Sequence, residues 1–205
     1  MADARETPVA HVYLREHSRH AHEATEASDG MRRLMAGQLD EAGYDALLRS
    51  QASLYRAWET EHATWLAGSL ASAGWQYTSR AALIAADLVD RLPGSQARQT
   101  APAPALSPTP PTTKADDACR WGELYVIEGS SLGGRLIARR LRELYPQRAH
   151  HFYAVGENAP SSWRRFQALL DTHLTDDAAR RSAVDGALRM FARFRQALKD
   201  PPGHV

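Results

Sequence analysis

The chain has 205 residues, of which 43% are apolar and 24% charged, values that are ordinary for a soluble globular protein. A formal net charge of +1 argues against a dedicated nucleic-acid-binding protein, which would be far more basic. No apolar run approaches the roughly 20 residues that span a bilayer, and the N-terminus lacks the apolar core of a signal peptide. The single cysteine, Cys119, excludes an internal disulfide and suits a reducing compartment. We therefore expect one cytoplasmic domain, residues 1–205, that binds neither nucleic acid nor membrane.

The first half of the chain predicts a succession of helices. Apolar residues recur every three to four positions over about 11–27, 40–60, 63–70 and 80–92, with a short turn at 31–36. Asp40 and Ser79 stand where N-caps are expected. No strand pattern is present, so we predict an all-α fold.

The second half begins with a segment of different character. Residues 94–116 are rich in Pro, Ala, Ser and Thr and are expected to form a flexible loop that links two halves of one bundle. A central glycine-bearing helix follows, then a link at 150–156 and a helix capped by Ser161 or Ser162. The last helix, about 176–198, is expected to bury Leu188, Phe191, Phe194 and Leu198. Residues 1–9 and 200–205 are expected to be disordered tails.

A glycine and serine stretch interrupts the pattern of the central helix. Gly129, Gly133 and Gly134 fall within six positions, and each glycine in a helix interior costs roughly 0.5–1 kcal/mol relative to alanine. Because Gly129 and Gly133 are four apart, they share a helix face that carries no side chains. That face suits either a planar ligand lying against bare backbone or a closely crossing helix. The glycines alone leave both interpretations open.

Histidines are the candidate metal ligands, and several lie on the first helix. His22 follows Ser18 by four residues and precedes Glu26 by four, so these three lie close to one face. His17 and His20 have a spacing that can chelate a metal, but zinc sites need three or four protein ligands. A di-iron bundle would need two Glu-x-x-His motifs, and only one, ending at His62, is present.

Two separated motifs resemble the haem oxygenase family. Leu14-Arg-Glu-His-Ser18-x-x-x-His22-x-x-x-Glu26 resembles its proximal helix, and Leu124-Tyr-Val-Ile-Glu-Gly-Ser-Ser-Leu-Gly-Gly-Arg135 resembles its distal helix. The second motif is most similar to the bacterial branch found with bacteriophytochromes. Further matches are Gly37-Gln38, Tyr44, Ala52-Ser-Leu-Tyr55, Phe152-Tyr-Ala-Val-Gly156 and Trp163-x-x-Phe166.

The resemblance implies a multi-helix bundle with haem between a proximal N-terminal helix and a kinked, glycine-rich distal helix. It implies that His22 ligates the haem iron and that Glu26 orients the imidazole, although Glu26 can equally be a surface carboxylate. Gly129, Gly133 and Gly134, with Tyr125, would border the other haem face. Cationic side chains would hold the propionates, and we favour Arg15 with Arg164 or Arg165. The animal enzymes place an Asp where this chain has Ser130, so Ser130, Ser131 or backbone carbonyls would replace it.

The implied reaction opens haem to biliverdin and releases iron and CO. Haem is then substrate and cofactor, and O2 and electrons come from outside, from a reductase, a ferredoxin or a small reductant. The product would supply iron or a bilin chromophore, and a bacteriophytochrome is a candidate acceptor. Two alternatives stay open: a haem carrier that leaves haem intact, and another enzyme of the same fold such as a thiaminase-like or pyrroloquinoline-quinone-synthase-like protein. The pairing of His22 with the glycine motif argues against the latter.

Overall fold

Helices make up all the regular structure in the parts of the chain that the structure, a computed structural model, describes: residues 9–89, 113–155 and 159–199. The all-α prediction is confirmed. Across these ranges no helix is both long and apolar enough to cross a membrane. In chain order the helices are α1 (Ala10–Glu26), α2 (Asp29–Ala36), α3 (Glu41–Glu61), α4 (Ala63–Trp65, continued by a π-helical turn at Leu66–Leu70), α5 (Arg80–Val89), α6 (Lys114–Leu144), α7 (His151–Ala154), α8 (Ala159–His173) and α9 (Asp177–Ala197).

Side-chain caps fix where several helices begin. The Asp40 carboxylate accepts a hydrogen bond from the backbone N–H of Gly43 at 2.7 Å, at the start of α3. The Ser79 hydroxyl accepts one from the N–H of Ala82 at 3.1 Å, ahead of α5. Both satisfy N–H groups that have no partner within the helix. The caps predicted at Asp40 and Ser79 are confirmed, and Asp176 caps α9 in the same way.

Three boundaries in the second half differ from the sequence prediction. Helix α6 already begins at Lys114, where Thr113 and Asp116 form a reciprocal capping box, so the predicted loop ends a few residues earlier than 116. The rest of that loop, 94–112, lies outside the described residues, as do the tails 1–8 and 200–205. Residues 151–154 form the short helix α7. Helix α8 starts at Ala159, so the predicted caps Ser161 and Ser162 lie inside its first turn rather than before it.

Helix α6 is the centre of the fold and runs through the glycine stretch without a break. It packs against α7, α8 and α9. Where α6 crosses α9, a Cβ at Gly122 would overlap the carbonyl oxygen of Ala183, and a Cβ at Gly186 would overlap that of Cys119. These two glycines let the backbones approach closely. The kink expected in α6 stays a prediction.

One of the four residues predicted to be buried on α9 is exposed, so that prediction is wrong. Phe191, Phe194 and Leu198 are buried as expected, but Leu188 is 39% exposed. The buried side of α9 is centred instead on small residues such as Ala187, which pack against α6. Leu188 follows Ala187 directly and is therefore turned about 100° away from it around the helix.

A buried carboxylate ties α3 to α6. Glu123 accepts a hydrogen bond from the indole N–H of Trp58 at 2.9 Å and lies 2.6 Å from Nε2 of His62. Burial alone would raise the pKa of Glu123, but its hydrogen bonds with His62 and Trp58 outweigh burial and lower it. The folded protein therefore favours the ionised carboxylate.

We expect Glu123→Gln to lower the free energy of unfolding by about 2 kcal/mol at neutral pH, because an amide cannot replace a carboxylate toward both partners. Since the folded pKa lies below the unfolded one, this stabilisation is present above the ordinary glutamate pKa of 4.5 and is lost as the pH falls through the folded value. Urea unfolding of both proteins from pH 7 to pH 3 measures it. The difference between them should narrow at acid pH, and a constant difference would contradict this account.

Candidate active site

The glycines of α6 differ in what surrounds them. A Cβ added at Gly134 would lie 2.8 Å from the carbonyl oxygen of Tyr153, so this glycine makes room for α7. A Cβ at Gly133 would meet nothing within 4 Å, and one at Gly129 would lie 3.4 Å from the edge of the Trp163 indole. Gly134 is therefore a packing glycine. Gly129 and Gly133 present bare backbone that no other helix backbone covers.

Apolar side chains continue this bare face along α6. Leu132 is 42% exposed and Leu136 66%, whereas the other leucines of the described part of the chain, apart from Leu188, are buried or half-buried. Leu136 is seven residues from Gly129, hence on the same side of the helix, and Leu132 lies one turn from both. We name the surface formed by Gly129, Leu132, Gly133 and Leu136 the glycine face. It is open and apolar, as a binding surface for a planar apolar ligand must be.

His22 lies near the C-terminal end of α1 with an accessible ring. Its side chain is 56% exposed, and its ring packs edge-on against Phe191 of α9 at 5.8 Å between centroids. Nε2 lies 3.7 Å from a carboxylate oxygen of Glu26, a distance that allows electrostatic attraction but is too long for a hydrogen bond. One turn earlier, the buried Ser18 hydroxyl donates to the carbonyl of Leu14. Exposure leaves the imidazole of His22 available to a ligand.

Contacts with α8 and α9 bring the two motifs into one region. Both α1 and α6 pack against both of these helices. Trp163 of α8 touches the glycine face, and its ring lies 5.5 Å from that of Tyr125. Burial raises the pKa of Tyr125, and the nearby Arg15 of α1 partly offsets this rise. Arg15 of the first motif and Tyr125 of the second are therefore neighbours.

The three candidate arginines have different surroundings. Arg15 and Arg164 are exposed. Asp171 of α8 binds the ring of His11 on α1 at 3.0 Å, and Arg164, seven residues before Asp171, lies on the same side of α8 and so faces α1. Arg165 donates to the carbonyl of Gly74 and lies over the ring of Trp75 at 5.7 Å. Arg15 and Arg164 thus lie exposed on α1 and α8, whereas Arg165 is engaged with the turn before α5.

The two serines of the glycine motif point in different directions. Ser130 is exposed and its hydroxyl donates to the carbonyl of Ile127 at 2.7 Å. The fully buried hydroxyl of Tyr55 lies beside Ser130 but makes no well-formed hydrogen bond. Ser131 is buried and accepts from Arg80 at 3.3 Å. The catalytic roles predicted for both serines stay predictions.

A buried ion pair links α5 to the glycine-rich segment of α6. Arg80 of α5 lies 3.1 Å from the carboxylate of Glu128, the residue before Gly129. The Arg80 guanidinium also donates to the carbonyl of Thr78 at 2.8 Å. Burial raises the pKa of Glu128, and Arg80 acts against this rise. The glycine segment is therefore anchored on the side opposite its open face.

The comparison with known protein families decides the identity of this site. The family model described as heme oxygenase matches residues 10–200 of the chain. The chain belongs to the haem oxygenase family. The protein is accordingly an oxidoreductase that degrades haem to biliverdin and requires a reductant.

Individual haem oxygenases support this identification. The chain is 41% identical, over 170 residues, to the heme oxygenase of Xanthomonas campestris pv. campestris (strain 8004), an alignment that covers 82% of this chain and 96% of that one. The structure of the heme oxygenase from Leptospira interrogans superposes with a TM-score of 0.69 at 15% identity, covering 95% of this chain and all of that one. At such low identity the second comparison concerns the fold alone.

Two of the other histidines considered from the sequence, His17 and His62, have local partners. His17 stacks on Tyr13 at 3.9 Å and lies 2.8 Å from that residue's carbonyl oxygen. His62 belongs to the Glu123 cluster, and Glu59 accepts from the hydroxyl of Tyr77. Within residues 9–89, 113–155 and 159–199, no group of three or more His, Cys, Asp or Glu side chains is arranged to hold a metal ion. Haem iron needs only one protein ligand, and His22 remains the candidate for it in this haem oxygenase.

Sequence reasoning missed four neighbours of the site. Trp163 and Tyr55 were identified as family matches and Phe191 as part of an apolar pattern, but none of them as a site residue. Arg80 carried no signal, because the pairing with a residue 48 positions away is a property of the fold. A helix-periodicity argument identifies buried residues but not the helix that each of them contacts.

Proposed function

We propose that haem binds between α1 and the glycine face of α6, with His22 as the proximal iron ligand. The observation that supports this most strongly is the contrast among the glycines of α6. Gly122 and Gly134 are needed for contact with neighbouring backbone, whereas Gly129 and Gly133 leave an open face. An alanine at Gly133 would meet no steric obstacle and would favour the helix. The glycine therefore suits a ligand that approaches the backbone.

On the proximal side, His22 would supply a neutral imidazole. A ring that is more than half exposed keeps its nitrogen available, and Phe191 restricts the orientation of the ring. The carboxylate of Glu26, 3.7 Å from Nε2, is near enough to attract a ring N–H directly or through water. Such a partner fixes the tautomer and makes the opposite nitrogen a better ligand.

On the distal side, small and neutral groups would surround the reacting oxygen. Bound haem supplies the iron that activates O2 and the meso carbon that is oxidised. The Ser130 hydroxyl gives its hydrogen to a helix carbonyl, which leaves its lone pairs free to accept from water. The buried Tyr55 hydroxyl beside it needs a partner, because an unmatched buried hydroxyl costs about 1–3 kcal/mol. We propose that these two groups hold ordered water in place of the Asp of the animal enzymes.

At the rim of the cleft, arginines would bind the haem propionates. Arg15 of α1 and Arg164 of α8 are both exposed, and Arg15 lies near Tyr125 of α6. A guanidinium binds a carboxylate through two parallel hydrogen bonds, which would fix the rotation of the haem. Arg165 is the weaker candidate, since its guanidinium already contacts Gly74 and Trp75.

Gly133→Leu tests the location of the site. Since a Cβ at Gly133 meets nothing within 4 Å, the variant is expected to fold normally and to block the glycine face. We expect its Kd for hemin to rise at least about tenfold, a loss of about 1.4 kcal/mol. Hemin titration followed by the Soret band measures this.

Gly68→Leu is the matched control, because Gly68 is also a helical glycine with open space around it. It should bind hemin like the parent protein. Equal affinities of the Gly133 and Gly68 variants would contradict the proposed site.

The family establishes the overall reaction, and we propose its further details for this chain. O2 would be the oxidant, an external reductase, ferredoxin or small reductant the electron source, and iron and CO the further products. We propose that the protein acts in the reducing cytoplasm as one domain over residues 1–205, which the match over residues 10–200 supports. The reaction would supply iron or a bilin chromophore, with a bacteriophytochrome as the candidate acceptor of the biliverdin.

A further inference from the structure

All five tryptophans of the chain belong to one connected group of aromatic rings. Its main line runs from α8 through α6 to α4. Trp163 stacks with Phe166 at 5.9 Å between centroids, Phe166 lies 6.1 Å from Trp121, and Trp121 lies 5.6 Å from Trp65. We name these four residues the tryptophan row. Through the shared Phe166, the indoles of Trp163 and Trp121 are at most about 12 Å apart.

One end of the tryptophan row touches the glycine face. The edge of the Trp163 indole lies 3.4 Å from the position of a Cβ at Gly129. The inference therefore rests on the proposed function: if haem lies on this face, Trp163 is the aromatic residue of the row beside it.

The other end of the row carries carboxylate acceptors. The indole N–H of Trp65 donates to Asp117 at 2.6 Å, and that of Trp58 donates to Glu123 at 2.9 Å. Trp58 joins Trp65 through the ring of His62, at 4.9 and 6.4 Å. An indole that loses an electron becomes a strong N–H acid, and an adjacent carboxylate both attracts the positive charge and takes the proton. Oxidation of Trp65 or Trp58 would therefore cost less free energy than oxidation of an indole without such a partner.

We propose that the tryptophan row conducts oxidising equivalents from the haem pocket to Trp65 and Trp58. The oxidant would be hydrogen peroxide, whose reduction at bound haem would take two electrons from the row and two protons from solvent to give two molecules of water. Each electron comes from one terminal indole, which also loses its N–H proton to the neighbouring carboxylate. Trp163 and Trp121 are each oxidised and reduced again in transit, so only the terminal indoles end as radicals.

This path would protect the haem pocket from oxidative damage by hydrogen peroxide. An oxidising equivalent that stays in the pocket attacks the porphyrin or Trp163, whereas one at Trp65 lies close to solvent. Asp117 is only partly buried, so a reductant in solution can return the electron there. Because tunnelling weakens steeply with distance, a line of rings in contact is a faster route than the surrounding aliphatic core.

Trp121→Phe interrupts the row and keeps an aromatic ring in the core. The ferric complex with hemin is treated with hydrogen peroxide in the absence of reductant. The readouts are the electron paramagnetic resonance spectrum with ring-deuterated tryptophan and the sites of tryptophan oxidation by peptide mass spectrometry. Trp75→Phe is the matched control, since the only ring contact of Trp75 in the described part of the chain is with Phe166.

In the parent protein we expect a tryptophan radical and oxidation products at Trp65 and Trp58. In Trp121→Phe both should be lost, with damage moving to Trp163 and the haem, while Trp75→Phe behaves like the parent. Asp117→Asn, at a partly exposed position, should abolish oxidation at Trp65 without disturbing the core. Oxidation at Trp65 that survives in Trp121→Phe, or that appears with peroxide but no hemin, would overturn the proposal. A normal Soret band and normal haem turnover in those samples would leave the proposed function intact, whereas failure to bind hemin would overturn both.

Discussion

His22→Ala is expected to abolish the imidazole-type absorption spectrum of the hemin complex and, with it, biliverdin formation. His22 presents an exposed imidazole on α1, at the position that the proximal-helix motif assigns to the iron ligand. Without an axial imidazole the iron loses the ligand that fixes its position and electron density. The variant should fold normally, because the side chain is 56% exposed and makes a single ring contact, with Phe191, among the described residues.

His20→Ala is the control for this variant. His20 is an exposed histidine of the same helix but lies two residues from His22, hence on the opposite side of α1. Its removal should leave the spectrum and turnover unchanged. An imidazole-type spectrum in His22→Ala would refute the ligand assignment, and loss of the spectrum in His20→Ala would point to a different face of α1.

Gly122→Ala should have the largest effect on stability. A Cβ there would overlap the carbonyl oxygen of Ala183, and because both groups belong to helix backbones, neither can rotate away. Relief requires α6 and α9 to separate along the main contact of the fold. We expect a loss of about 3 kcal/mol or more in the free energy of unfolding. At this chain length that lowers Tm by roughly 6 °C or more in a thermal melt.

Gly133→Ala makes the same chemical change in the same helix without a neighbour. It should raise the stability of the hemin-free protein by about 0.5–1 kcal/mol, the usual gain for alanine over glycine in a helix. If Gly122→Ala lowers the free energy of unfolding and Gly133→Ala raises it, the packing glycines are distinguished from those of the glycine face. A destabilisation of similar size in both would show that the glycines of α6 serve one common purpose.

Local signals in the sequence predicted much of the fold. Apolar spacing and the caps at Asp40 and Ser79 depend on residues within one helical turn of each other, so they can be recognised without the fold. The glycine motif was likewise identified, but its two interpretations were not separable. Gly129 and Gly134 look alike in sequence, and only their surroundings, Trp163 in one case and the Tyr153 carbonyl in the other, distinguish them.

Patterns in the sequence could not predict contacts between residues far apart in the chain. Arg80 and Glu128 are 48 residues apart, and His11 and Asp171 are 160 apart, with nothing in the spacing to pair them. Leu188 was assigned to the core because it fits the α9 periodicity, although small residues such as Ala187 define the buried side. Long-range packing of this kind decides which of several similar residues are buried and which are exposed.

The most direct test of the central claim is the absorption spectrum of the purified protein with hemin, followed over time after a reductant and O2 are supplied. A Soret band that forms on addition of hemin and then decays into the spectrum of biliverdin is the predicted result. A Soret band that persists under the same conditions would contradict the claim and identify a haem carrier. Absence of any Soret band would exclude haem binding and would favour the activity of another enzyme family that shares this fold.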